Sequence, residues 1–250
     1  MANMPPVAVL AGGLGTRLHP ITTTIPKNLI DVAGRPYVAH QLELFVRRGI
    51  REVVFCVGHL GTQIEDYLKD GRKFGLEIRY SYDGDKLRGT GGAIARAMPM
   101  LGNEFFVTYG DSYLDIAYDE VVDAFRQSGA PALMTVFKND NSWDKSNVEF
   151  RDGRIVIYDK KNRTAQMRHI DYGLLMMSPA AFSGWEGVEN FDLADLLGPM
   201  AAAGGLAGFE TTTRFYETGS QSGIADLEAL LAQRSPPASR TQDGPTKDSR

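Results

Sequence analysis

The feature that most constrains this chain is a short apolar run that stops on glycine. Val7-Ala8-Val9-Leu10-Ala11 leads into Gly12-Gly13-Leu14-Gly15-Thr16-Arg17. An uncharged run of this length reads as a buried strand. A glycine cluster straight after it reads as a loop whose N–H groups reach phosphate oxygens without a Cβ in the way. A strand feeding such a loop points to an open α/β sheet, in which ligands bind beyond the carboxyl ends of the strands. Gly13-Leu14-Gly15 opens like a dinucleotide fingerprint, yet Leu18 stands where that pattern needs its third glycine. The Walker pattern fails too, for no Gly-Lys-Ser/Thr follows at its spacing. Arg17 adds a planar, permanently charged donor suited to a polyphosphate. Ten residues on, Pro26-Lys27 supplies a second cation, in a stretch the proline is expected to keep out of a helix.

Downstream, buried strands alternate with amphipathic helices. Strands are expected over 52–57, 77–82, 104–109 and 132–138, and helices over 36–48, 61–69, 91–98 and 119–127. This alternation predicts an α/β fold with a Rossmann-like, mostly parallel central sheet flanked by helices. After about residue 145 the pattern changes. Asp152-Gly153 between two strand-like runs signals a hairpin, followed by a strand over 169–177, a helix over 192–203, a strand over 206–212 and a helix over 220–233. Residues 1–234 read as one domain, with the second half a smaller β-rich, substrate-binding elaboration. The polar, Pro-containing stretch 235–250 reads as a disordered tail. The net charge of −4 argues against a nucleic-acid surface, and Cys56, the single cysteine, rules out an internal disulfide and a zinc cluster. No segment has the apolar length of a membrane span or the pattern of a signal peptide, so a cytoplasmic protein is expected.

The loop, with Pro20 and then Pro26-Lys27, resembles the opening of the sugar-1-phosphate nucleotidyltransferase family. The resemblance extends over roughly residues 7 to 232, through Gly89-Thr90-Gly91-Gly92-Ala93, Tyr109-Gly110-Asp111, Asp159-Lys160, Tyr172-Gly173 and Tyr216-Glu217-Thr218-Gly219-Ser220. It implies transfer of a nucleoside monophosphate from an NTP to a sugar 1-phosphate. Leu10, Ala11, Gly12, Gly13, Gly15, Thr16, Asp83, Gly89 and Thr90 would bind the NTP, and the second glycine segment would pack against base and ribose. Arg17, Lys27 and Asp111 would be catalytic. Asp111 and Glu217 would hold Mg2+, and Lys160, Tyr172 and Gly173 would bind the sugar phosphate. The Gly89–Ile94 segment, in a short chain without a β-helix, is most similar to the heptose-1-phosphate guanylyltransferases, so GTP and a heptose 1-phosphate are the expected substrates. Mannose 1-phosphate, uridylyl or cytidylyl transfer and a non-catalytic nucleotide sensor stay open, as does assembly into a homo-oligomer.

Several residues depart from the family pattern or have plainer readings. Glu217 stands where the family has aspartate, Asp159 stands where it has glutamate, and the asparagine before the sugar-site glycine is absent. Glu217 also suits capping of the helix that starts near Ser220, and Lys160 beside Lys161 and Arg163 suits a solvated hairpin edge. Trp143 and Trp185 read as packing or loop anchors.

Overall fold

The computed structural model describes residues 4–143 and 145–234. The stretch 235–250, expected to be a disordered tail, lies outside the described residues. The opening run forms β1 (Val7–Leu10). Both cationic segments after it fold as single 3-10 turns, Thr16–Leu18 and Lys27–Leu29. Pro26 therefore does not exclude helical backbone at Lys27. It is extended and precedes the turn, where its carbonyl accepts from Leu29 N–H and its missing N–H costs nothing.

A two-strand ribbon, β2 (Asp31–Val32) with β3 (Arg35–Pro36), enters α1 (Tyr37–Arg47). Then come β4 (Glu52–Val57), α2 (Gly61–Leu68), β5 (Glu77–Tyr82) and α3 (Gly89–Ala97). β6 (Phe105–Tyr109) and β7 (Ser112–Tyr113) precede α4 (Tyr118–Ser128) and β8 (Ala132–Lys138). The Asp152-Gly153 hairpin is present as β9 (Val148–Arg151) and β10 (Arg154–Tyr158). β11 (His169–Met177), α5 (Leu193–Ala202), β12 (Leu206–Thr211), β13 (Tyr216–Glu217) and α6 (Gln221–Arg234) complete the order.

One nine-stranded sheet runs through both halves of the chain in the order β5-β4-β1-β6-β11-β8-β12-β10-β9. Its first four strands are parallel, and β12 is parallel to β8. β11, at the centre, is antiparallel to both neighbours. That reversal was not legible, because a strand buried on both faces carries the same apolar run in either direction. Helices cover both faces. Val38, Leu42 and Phe45 recur at helical spacing, so α1 buries one side against Val7, Val9 and Phe55. On the other face Leu193, Leu196, Leu197 and Ala201 of α5 pack with Ala8, Val54 and Val107. A reciprocal Asp192–Asp195 capping box starts α5. No helix among the described residues is long and apolar enough to cross a membrane.

Phe106 of β6 is fully buried and its ring centroid lies 5.1 Å from that of Tyr118 on α4. Phe106→Ala is expected to cost about 3–5 kcal/mol, read as a lower urea midpoint with an unchanged slope.

Candidate active site

Four parallel strands end together. Leu10 is in register with Cys56 and Tyr109, and the ladder continues one step beyond as Ala11 N–H donates to Cys56 O, Asp83 N–H to Val57 O and Gly110 N–H to Leu10 O. Beyond this rim lies a cleft of about 290 Å³. Of the residues expected to bind an NTP, Leu10, Ala11, Gly12, Gly13, Gly15, Asp83, Gly89 and Thr90 line it. Thr16 does not; it is exposed in the 3-10 turn below the loop. Ala93 and Tyr109, from the second glycine segment and the strand-end motif, line it too, while Asn28, Cys56, Leu87 and Asp192 also line the cleft and were missed. Only Asp192 had a usable signal, the capping-box spacing to Asp195. Burial pushes the Cys56 thiol up to about 12, which keeps it protonated and inert as a nucleophile.

At one end of the cleft the Lys27 ammonium pairs with Asp111 at 2.9 Å. Next to Lys27, buried Asn28 donates from Nδ2 to Gly110 O at 2.7 Å. A Cβ on Gly110 would stand 2.4 Å from that Nδ2, so glycine is what admits the asparagine. The late Tyr216–Ser220 segment is carried to the same place because β13 pairs with β7, setting Glu217 against Ser112. A Cβ on Gly219 would lie 2.4 Å from Glu217 Oε2, 2.8 Å from Arg17 Nη2 and 3.2 Å from Asp111 Oδ2. The glycine thus leaves open a cradle ringed by two carboxylates and a guanidinium, from segments some hundred residues apart. Hard carboxylate oxygens of this kind, completed by phosphate and water, suit Mg2+. Glu217 meanwhile accepts from Gly219 N–H and Ser220 Oγ, and Ser220 Oγ accepts from Gly223 N–H. Ser220 is therefore the cap of α6, and Glu217 holds the cap.

The second glycine segment divides its work. Gly89, Thr90 and Ala93 face the cleft, whereas a Cβ on Gly91 would strike the Phe191 ring at 2.2 Å and one on Gly92 would strike Glu189 O at 2.3 Å. Gly91 and Gly92 are packing glycines that let α3 meet the 189–191 segment. Thr90 Oγ1 accepts from Leu193 N–H and donates to Asp192 Oδ1. Asp83 is buried between Gly12 and Gly58. Desolvation raises its pKa, against the lowering effect of Arg88 N–H, a distant donor at 3.5 Å. Its oxygens therefore reach the cleft largely unspent.

Tyr109 is the wall shared with the second half of the chain. Burial holds its phenol protonated, and the nearby Asp171, Asp111 and Asp192 carboxylates add to the effect. Lys160 Nζ lies 5.9 Å from the Tyr109 ring centroid and 5.7 Å from that of Tyr158, so it is placed beside the cleft and is not a free hairpin edge. Asp159 instead closes its own turn, accepting from Lys161 and Asn162 N–H. Asp171 accepts from Tyr158 Oη and Gly173 N–H, and the Gly173 Cβ position is 3.6 Å from Tyr109, so Gly173 belongs to this wall. Tyr172 is a correction. Side chains alternate across a strand, and Tyr172 is buried on the opposite face against Phe215, away from Lys160. Trp185 stacks on Phe191, and Trp143 carries the Arg214 guanidinium 3.8 Å from its ring centroid; both are anchors.

Residues 7–148 match the family model described as nucleotidyl transferase. The chain is 30% identical over 214 residues to a UTP--glucose-1-phosphate uridylyltransferase of Synechocystis sp., covering 79% of this chain and 55% of the relative. It is 31% identical over 178 residues to the mannose-1-phosphate guanylyltransferase catalytic subunit beta of Xenopus tropicalis, covering 69% and 49%. The chain thus spans about half the length of the curated relatives it matches. Among solved structures, HddC from Yersinia pseudotuberculosis complexed with GMP-PN shares the fold at a TM-score of 0.77 and 21% identity, over 91% of this chain and 100% of that one.

Gly110→Ala is expected to displace Asn28 from the Asp111 turn and to cost about 1–3 kcal/mol. Urea denaturation of the variant measures it.

Proposed function

The chain belongs to the nucleotidyl transferase family, and from that premise we propose that it transfers a guanylyl group from GTP to a sugar 1-phosphate and releases pyrophosphate. The observation that carries the transfer is the convergence of Arg17, Asp111 and Glu217 on the Gly219 cradle, with Lys27 paired to Asp111. A sugar 1-phosphate oxygen is already an anion near neutral pH, so no general base is required. The barrier lies in bringing polyanions together and in the charge that moves onto pyrophosphate. The Ala11–Gly15 backbone receives the triphosphate, Arg17 steadies the leaving pyrophosphate, and Lys27 turns from Asp111 toward reacting phosphate. Asp111 and Glu217 would hold Mg2+, which when bound neutralises phosphate charge. Lys160, beside Tyr109, anchors the sugar phosphate. Residues 1–140 are then the NTP half and 141–234 the sugar-phosphate half of one domain.

Asp83 supports guanine. A carboxylate offers two adjacent acceptors and no donor, and guanine presents two adjacent donors, N1–H and the N2 amine, on one edge. Uracil and thymine present one. The names of the relatives divide between guanylyl and uridylyl transfer, so the base rests on Asp83, and the sugar is proposed to be a heptose, on the Gly89–Ile94 resemblance.

A matrix of NTPs against sugar 1-phosphates with Mg2+, read by pyrophosphate release, tests the proposal. GTP with a heptose 1-phosphate is expected to be fastest. A preference for mannose 1-phosphate would replace the sugar, one for UTP or CTP would replace the base, and silence throughout would leave a nucleotide sensor. Arg17→Ala and Lys27→Ala should each lower kcat by about 10²–10³-fold.

Asp83 also sets a pH dependence. Its raised pKa means that the ionised acceptor form is lost at a higher pH than for an ordinary aspartate. GTP affinity should fall on acidification through that raised value, with an acid limb that Asp83→Asn abolishes. Burial disfavours the ionised form in the folded state, so Asp83→Asn should not lower stability at neutral pH. Calorimetric GTP titration across pH, with thermal melts, reads both effects.

A further inference from the structure

The Asp111 carboxylate hangs from a tight turn, Tyr109–Ser112, between β6 and β7. The turn is held from outside. Asn28 Nδ2 donates to Gly110 O, and Thr218 N–H donates to Asp111 O at 2.8 Å. The two flanking carbonyls share one donor group. Gln41 Nε2, from the middle of α1, donates to Tyr109 O at 3.1 Å and to Ser112 O at 3.0 Å.

Gln41 is fully buried, and its Oε1 has no hydrogen-bond partner. The amide orientation is dictated by its surroundings, because only the NH2 end can face two carbonyl oxygens. A buried amide with an idle acceptor costs stability that an apolar side chain of similar size would not. What an apolar side chain could not supply is the pair of donors spanning the turn. With Tyr109 O and Ser112 O tied to one nitrogen, the Gly110–Asp111 peptide has little freedom to rotate, and the direction of the Asp111 side chain is set.

We propose that Gln41 is a positioning residue for the transfer. It fixes the Tyr109–Ser112 turn, and through it aims Asp111 at the nucleotide and its divalent ion. This rests on the reading of Asp111 as a metal-holding carboxylate. The site residues Lys27 and Asn28 reach the turn from the loop side; Gln41 reaches it from the helix behind, and touches no substrate.

The test uses the full chain, with Mn2+ as the probe in the presence of GTP and electron paramagnetic resonance to count free ion. Gln41→Leu and Gln41→Met keep the volume and remove both donors. Each should bind Mn2+ about 10-fold more weakly and need correspondingly more Mg2+ for half-maximal pyrophosphate release, while the KM for sugar 1-phosphate stays put. A purely structural role would lower the unfolding midpoint and leave Mn2+ affinity of the folded protein unchanged; that result overturns the proposal. Should neither variant fold, the unmodified protein decides: the assigned Gln41 side-chain NH2 resonances should shift when Mg2+ and GTP are added, and their indifference overturns it equally. Failure of the unmodified chain to bind Mn2+ with GTP would instead remove the metal reading underneath, and the Gln41 proposal with it.

Discussion

Parallel pairing of β1 with β6 is the constraint on which the site depends. The register that sets Leu10 against Tyr109 ends both strands at one level. The glycine loop and the Gly110-Asp111 turn therefore leave the sheet side by side. Their separation along the chain is about a hundred residues, so local chemistry alone cannot bring them together. The packing of apolar strand residues on both faces does so, since a one-residue slip would send the larger Val7 and Val9 to the face where the smaller Ala8 packs.

The charged groups at this rim presently satisfy one another. Lys27 pairs with Asp111, Arg17 stands at the Gly219 cradle with Asp111 and Glu217, and Glu217 draws on Gly219 N–H and the Ser220 hydroxyl. Like-charged or unpaired groups in a half-buried cleft would be costly, and these pairings offset that cost. On the proposed reading, an incoming polyanion would offer the cations a stronger partner and free the carboxylates to hold a metal. The longer reach of Glu217 compared with an aspartate is accommodated by Gly219 in the loop and Gly223 in the first turn of α6, which leave room for its carboxylate.

The second half of the chain brings Asp192 to the cleft lining and Glu217 to Asp111, and meets the first half again at Tyr109. Its ring forms part of the cleft and faces Lys160, while Gly173 sits against it from the bulged stretch of β11. Because β11 runs antiparallel to β6, it delivers His169–Gly173 to the same rim at which β6 ends. A parallel strand would have carried them to the opposite end of the sheet. The reversal that sequence periodicity does not reveal is thus what lets both halves serve one cleft.

The sequence by itself determined the elements and most of the cleft. Apolar periodicity located the long strands and helices to within a few residues, since burial of one face is a local pattern. The glycine loop, Lys27, Asp83, Gly89 and Asp111 carry their chemistry in short motifs, and they line the rim as those motifs imply. Only the tertiary structure decided what distance along the chain conceals. It placed Asn28, Asp192 and Gln41 at the site, turned Tyr172 to the far face, spent Gly91 and Gly92 on helix packing, and brought Glu217 to Asp111 through a two-residue ribbon. Each of these follows from which surfaces meet, and a linear pattern does not encode its partner: hydrogen bonds across the fold depend on register and crossing geometry that no single segment contains.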